Sequence, residues 1–313
     1  MLHEISYALV PFFFSMAMGY LAGKLARGAM PLSAINSMLV DYALPFALFL
    51  YTAKMQRASL GSHLMLILLL VAVMLVPYFA SLALSRFVFN VAPSNAAVRA
   101  VTIGMPNFAA IGLPLLHSVY GDESNLTVAL AITTASVVMS PAGLILLERA
   151  KTRDSGGPHT NLLAKALVTT FVKPIVIAPI LGVFVSLAGW ELPGLLVQSL
   201  GIIGSTTAGL ALFSTGLILA SQPFRLDREV WAGVALSNIV QPLIALALVV
   251  VLALPKQIAG EAILLSAIPC GSFGILFGLS YGVQDTTAGT TLVMSSVLSI
   301  VSLTATIFLL GYL

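Results

Sequence analysis

Gly104-Met105-Pro106-Asn107-Phe108-Ala109-Ala110-Ile111-Gly112-Leu113-Pro114 lies in an apolar run long enough to cross a membrane, yet prolines, glycines and an asparagine interrupt it. A helix in lipid must satisfy its own backbone hydrogen bonds, and proline removes one N–H and displaces one carbonyl. Such a break is tolerated where the freed groups line a cavity or bind something. A second break, Ile268-Pro269-Cys270-Gly271-Ser272-Phe273-Gly274, occupies the corresponding place in the other half of the chain. Matched interruptions in two halves point to a secondary transporter with its site between them.

Composition supports a membrane setting. Of 313 residues 59% are hydrophobic and 8% charged, with a mean hydropathy of +1.06; soluble domains carry about 25% charged residues. The pI of about 9.1 does not signal nucleic acid, because the basic residues fall in short loops between apolar runs. Cys270 is the sole cysteine and has no intrachain partner. The first apolar run, 5–22, follows His3 and Glu4 instead of a basic segment and is long for a signal peptide, so it is expected as a retained helix.

Runs of about 20 residues, the length a bilayer requires, fall at 5–23, 33–53, 63–85, 99–119, 126–147, 167–188, 195–219, 230–253, 263–281 and 288–311. The expected organisation is a first half at 1–147, a cytoplasmic linker at 148–166 containing Asp154-Ser155-Gly156-Gly157-Pro158, and a second half at 167–313. Ten basic residues lie in the loops of one side, among them Lys24, Arg99, Arg149 and Arg228; only Lys54, Arg57 and Lys256 lie opposite. The positive-inside rule then puts both termini on the non-cytoplasmic side of a multi-pass protein. Tyr120, Trp190, Trp231 and Tyr281 fall near helix ends, where aromatics meet lipid headgroups.

Landmarks recur along the chain. Pro11 answers to Pro174, Ala47-Leu48-Phe49 to Ala211-Leu212-Phe213, Pro77 to Pro242, Pro106 to Pro269 and Tyr120-Gly121 to Tyr281-Gly282, at offsets of 163, 164, 165, 163 and 161. Five helices per half is an odd number, so the second half enters the membrane with opposite polarity. Pro106 lies seven residues past Arg99 and Pro269 eight past Glu261, or about 10–12 Å of helix from opposite faces. The breaks are expected to meet near the midplane, where helix N-termini suit an anion. Gly104, Gly112, Gly271 and Gly274 permit unusual dihedrals and close approach; kinked packing helices with glycine contacts are the competing reading.

Asn107 is the leading candidate ligand, since its amide both donates and accepts; it could instead cap the half-helix that follows. Asp41 is the carboxylate well inside a span. It could bind a coupling proton or anchor its helix against Asn238 or Gln241. Lys173 is expected to snorkel to the cytoplasmic interface, and His117 to sit near an external helix end. Ser272, Thr206, Thr207, Ser214 and Thr215 are cavity hydroxyls or bonds to their own helix. Asp122, Glu123 and Asp285 are expected to be solvated. No metal spacing, phosphate loop or nucleophile with a base occurs, so neither an enzyme nor a cofactor is expected.

The run Pro106-Asn107-Phe108-Ala109-Ala110-Ile111-Gly112-Leu113-Pro114-Leu115-Leu116, followed by Tyr120-Gly121, resembles the fourth-helix crossover of the auxin efflux carrier family. Ile268-Pro269-x-Gly271, with Phe277 and Tyr281, is similar to the ninth-helix crossover, and Leu44-Pro45-Phe46-Ala47-Leu48-Phe49 to the second-helix motif. The resemblance spans the chain. It implies an all-α membrane fold of ten helices in a 5+5 inverted repeat, related to bile acid symporters and sodium/proton antiporters. Helices 1, 2, 6 and 7 would form a scaffold and helices 3–5 and 8–10 a transport core, with Asn107 helping to hold a substrate carboxylate. The long central loop of the plant exporters is absent, and the short one looks like the bacterial members. The expectation is therefore a carrier of small organic anions, mono- or dicarboxylates such as malonate or auxin-like acids, in the bacterial inner membrane. Substrate would lie near Gly104, Pro106, Asn107, Gly112, Pro269, Gly271, Ser272 and Gly274. The alternative is a sodium- or proton-coupled symporter or antiporter. Fold analogy further suggests a scaffold-mediated homodimer.

Overall fold

The computed structural model describes residues 2–25, 32–54, 60–155, 168, 172–221 and 224–311, and these are helical with no β-strand among them. The first five helices in chain order are α1 (Leu2–Leu25), α2 (32–53), α3 (60–88), α4 (Pro93–Gly104) and α5 (Phe108–Tyr120). After them come α6 (124–155), α7 (Pro174–Ala188), α8 (Gly194–Ser221, with a turn at 205–206) and α9 (Arg228–Leu252). The chain continues with α10 (Lys256–Ser266), α11 (Phe273–Ser280) and α12 (Thr286–Leu310). Among the described residues, five stretches, His63–Val88, Ser124–Ala150, Gly194–Ser221, Arg228–Leu252 and Thr286–Leu310, are long and apolar enough to cross a bilayer.

Helix ends follow local chemistry. Asp227 accepts a bond from Val230 N–H at 2.9 Å and Asp285 one from Ala288 N–H at 2.6 Å, satisfying first-turn donors of α9 and α12. Gly189, with φ +72°, closes α7 in the left-handed conformation that glycine adopts without strain. Helix α6 runs on through Ser155, past residue 148 where the linker is expected to begin. Glu148-Arg149-Ala150-Lys151 are good helix formers, and the first strong breaker is Gly156-Gly157-Pro158; residues 156–167 lie outside the described set.

Several helices widen locally to π geometry just before a proline. Leu44, Leu113, Ser140 and Gln241 each donate their N–H to the carbonyl five residues back, at Leu39, Phe108, Ala135 and Leu236, and each precedes a proline. The proline ring displaces the carbonyl four residues before it, so the helix expands by one residue to keep its remaining bonds.

Packing ties α1 along the second half of α8 and α7 along α2. The α1–α8 approach is backbone to backbone: a Cβ on Gly216 would overlap the Met16 carbonyl oxygen. Between α2 and α7, Thr52 Oγ1 donates to the Pro179 carbonyl at 3.1 Å. The buried core gathers Leu66, Leu70 and Met74 of α3, Ile111 and Leu115 of α5, Val128 of α6 and Leu264 of α10. Phe14, Phe79, Phe184, Val250 and Val251 point outward and exposed, as a lipid-facing surface requires.

Candidate functional site

The two breaks meet. Helix α4 stops at Gly104, Met105 is extended, and Asn107 takes φ −78° and ψ +59°. The latter values, with Phe108 N–H donating to the Pro106 carbonyl at 2.8 Å, describe an inverse γ-turn. On the other side α10 stops at Ser266 and α11 starts at Phe273. Between them Pro106 and Cys270 form an isolated antiparallel bridge. Asn107 N–H donates to the Pro269 carbonyl at 3.1 Å, and Gly271 N–H to the Thr102 carbonyl at 3.1 Å. Cys270 N–H donates to Ser295 Oγ of α12 at 3.1 Å. Backbone groups freed by each break are thus satisfied largely by the other, as their burial demands.

Glycine is required on one side. A Cβ on Gly271 would overlap the Met105 carbonyl oxygen, and one on Gly274 the Val98 carbonyl and Thr102 hydroxyl. Gly104 instead packs on Tyr78 of α3, and Gly112 faces Leu265 and Val128, so these two serve helix packing. Ser272 is buried beside the bridge. The first turns of α5 and α11 both start at the crossing, and first-turn N–H groups have no intrahelical acceptor.

The Asn107 side chain is 4% exposed and makes no cap bond to its own helix, contrary to the capping alternative. Its Nδ2 donates across to Thr215 Oγ1 of α8 at 3.2 Å, while Thr215 donates to the Ala211 carbonyl at 2.9 Å. Ser214 Oγ and Thr207 Oγ1 on the same helix, and Thr102 Oγ1 of α4, are buried with no hydrogen-bond partner among the described residues. Thr206 caps the preceding turn through the Ile203 carbonyl. The sequence named the α8 hydroxyls but not which of them faces Asn107.

Asp41 lies apart from the crossing. It is exposed, accepts a bond from Ser37 Oγ, and its charge attracts Lys173. The suggested anchors do not reach it. Asn238 exchanges bonds with Ser295, its Oδ1 accepting at 2.5 Å, and Gln241 donates to the Val73 carbonyl at 3.4 Å. Lys173 is half-buried with Nζ 5.3 Å from the centre of the Phe277 ring, a cation–π contact and not a free snorkel. His117 is exposed with Nδ1 3.3 Å from Asp122 Oδ1.

Asp285 corrects the sequence expectation of a solvated acid. It is buried, caps α12, accepts Arg99 Nε at 3.0 Å and Asn95 Nδ2 at 2.8 Å, and Arg99 also binds Glu229. Three separate helix starts converge there, which no single stretch of sequence displays.

Paired helix breaks that complete one another's hydrogen bonds, within an apolar all-helical chain, define a membrane transporter. The chain belongs to the membrane transport protein family, which it matches over residues 4–307; this is the family of the auxin efflux carriers. The uncharacterised transporter YfdV of Escherichia coli K12 is 28% identical over 290 residues, covering 92% of this chain and 91% of that protein. A candidate malonate transporter of Rhizobium meliloti is 24% identical over 313 residues, covering 98% and 96%. Auxin efflux carrier component 8 of Arabidopsis thaliana is 21% identical over 361 residues, covering 99% and 98%.

Proposed function

We propose that this transporter is a secondary carrier of small organic anions, mono- or dicarboxylates of the malonate or auxin-like type, bound at the crossing of the two breaks. The observation that carries it is the Asn107 amide. It stands between two satisfied backbone breaks and reaches Thr215, on a different helix group, through one neutral hydrogen bond of 3.2 Å. A carboxylate is a stronger acceptor than a hydroxyl. Substrate entering here would take the Asn107 amide from Thr215 and add the first-turn N–H groups of α5 and α11.

In this reading the ten spans form two inverted repeats. Helices α1, α2, α7 and α8 are the scaffold, and α3–α6 with α9–α12 are the core that moves against it. The chain sits in the bacterial inner membrane with both termini outside. Names of relatives support carboxylate substrates, and the positive-inside distribution supports the orientation.

Thermal-shift measurement against small carboxylates tests the class, because a ligand bound only by the folded carrier raises its melting temperature by mass action. Asn107→Ala should weaken the same ligand by about 10- to 100-fold, the worth of one hydrogen bond to a charged group. Equal affinity in wild type and variant would remove Asn107 from the site.

A further inference from the structure

A second buried acid, besides Asp285, lies away from the crossing. Glu261, on α10, is 2% exposed. Thr127 Oγ1 of α6 donates to its Oε2, and Gln257 Nε2 to its Oε1 at 3.1 Å. Both donors are neutral, and among the described residues no lysine or arginine forms an ion pair with it. An unpaired buried carboxylate costs several kcal/mol, and taking up a proton relieves that cost.

Its surroundings are open on one side. A cleft of about 390 Å³ is lined by Glu261, Gln257 and Thr127, by His63 of α3, and by Tyr51 and Lys54 at the end of α2. Asp122 and Glu123 complete its rim, and Tyr120 of α5 stands over Gly260. His63, Glu123 and Tyr120 are the titratable neighbours of Glu261, with Lys54 lining the same cleft; α9 and α12, which also pack on α10, present no titratable side chain to it. The cleft therefore lies between the end of a scaffold helix and the ends of core helices.

The opposite end shows what a balanced arrangement looks like. By the offset that relates the two breaks, Arg99 corresponds to Glu261 (162) and Asp285 to Asp122 (163). At Arg99 a cation meets Asp285 and Glu229. At Glu261 the cation's place is taken by an acid, beside the acids Asp122 and Glu123.

We infer that Glu261 is a proton-binding site, loaded through this cleft from the external side, and that movement of the core against the scaffold opens and closes its access. The step is one proton onto the Glu261 carboxylate from bulk water, and its release when the cleft rearranges. Proton binding stands on the local structure alone; what it drives rests on the proposed carrier function.

Infrared difference spectroscopy of the full-length protein in lipid, without substrate, tests the binding. A protonated-carboxyl band should titrate with pH, disappear in Glu261→Gln and persist in Asp41→Asn. Glutamine keeps the size and hydrogen-bonding ability of the side chain, so this variant retains the local packing. A band that survives Glu261→Gln, or the lack of any titrating band in the wild type, overturns the assignment. Coupling is read separately as malonate accumulation in vesicles. A one-unit inward proton gradient drives at most about tenfold accumulation for one proton per substrate, and the ratio should fall to one in Glu261→Gln. An unchanged ratio in the variant refutes coupling through Glu261. No malonate flux in the wild type counts against the substrate proposed above, while the infrared titration still decides Glu261.

Discussion

Gly271→Ala places a methyl group where the Met105 carbonyl oxygen already sits. Backbone cannot rotate aside as a flexible side chain can, so the two breaks must separate. Separation strains or breaks two buried bonds, Asn107 N–H to the Pro269 carbonyl and Gly271 N–H to the Thr102 carbonyl, each 3.1 Å. Such bonds contribute about 0.5–1.5 kcal/mol each, and more when their groups are left buried and unpaired. Overpacking adds roughly 1–3 kcal/mol. The combined cost is about 2–6 kcal/mol, which at about 2–4 °C per kcal/mol lowers the melting temperature by roughly 4–24 °C. Gly209→Ala is the matched control: the same methyl at an exposed helical position with nothing within 4 Å of the new Cβ. It should be neutral or stabilise by up to about 1 kcal/mol. Thermal unfolding of both variants in the same detergent gives the comparison. Equal melting temperatures for Gly271→Ala and Gly209→Ala would refute the close backbone crossing.

Arg99→Gln should destabilise by about 3–5 kcal/mol by leaving Asp285 buried without its cation, and adding Asp285→Asn should restore part of that loss; chemical unfolding of the single and double variants reads it. Thr215→Val removes the acceptor of the Asn107 amide, so carboxylate affinity should stay within about threefold while stability falls by about 1 kcal/mol; a binding loss as large as that of Asn107→Ala would make Thr215 a ligand in its own right. Asp227→Ala should cost about 0.5–2 kcal/mol through loss of the α9 cap, visible as a lower melting temperature with substrate affinity unchanged.

Much of the helix plan is legible in one dimension, because lipid imposes long apolar runs and punishes each interruption. The stretches 63–85, 126–147, 195–219, 230–253 and 288–311 lie within three residues of the long apolar helices found. The two breaks could be seen for the same reason: proline and glycine alter the backbone wherever they stand. Caps at Asp227 and Asp285 are equally local. The π turns leave a fainter sequence signal, a proline two positions past the widened turn.

Side-chain partners were read less well. Asp285 looked like a loop acid, yet it is held by Arg99 from 186 residues away. Asp41, deep in an apolar run, invites a coupling proton or a polar anchor, yet it is exposed and its partner is Ser37 of its own helix. Glu261 passed as a landmark at a helix end, because burial of a carboxylate depends on what other helices bring over it.

Composition and breaker positions by themselves determined that this chain is a membrane protein with two interrupted helices, because those constraints act within a single helix and its solvent. Only the tertiary structure decided that Pro106 lies against Cys270, that Asn107 faces Thr215, and that Glu261 is covered while Asp41 is not. Each of those is a contact between segments far apart in the chain, set by how the helices pack, and no local pattern encodes it.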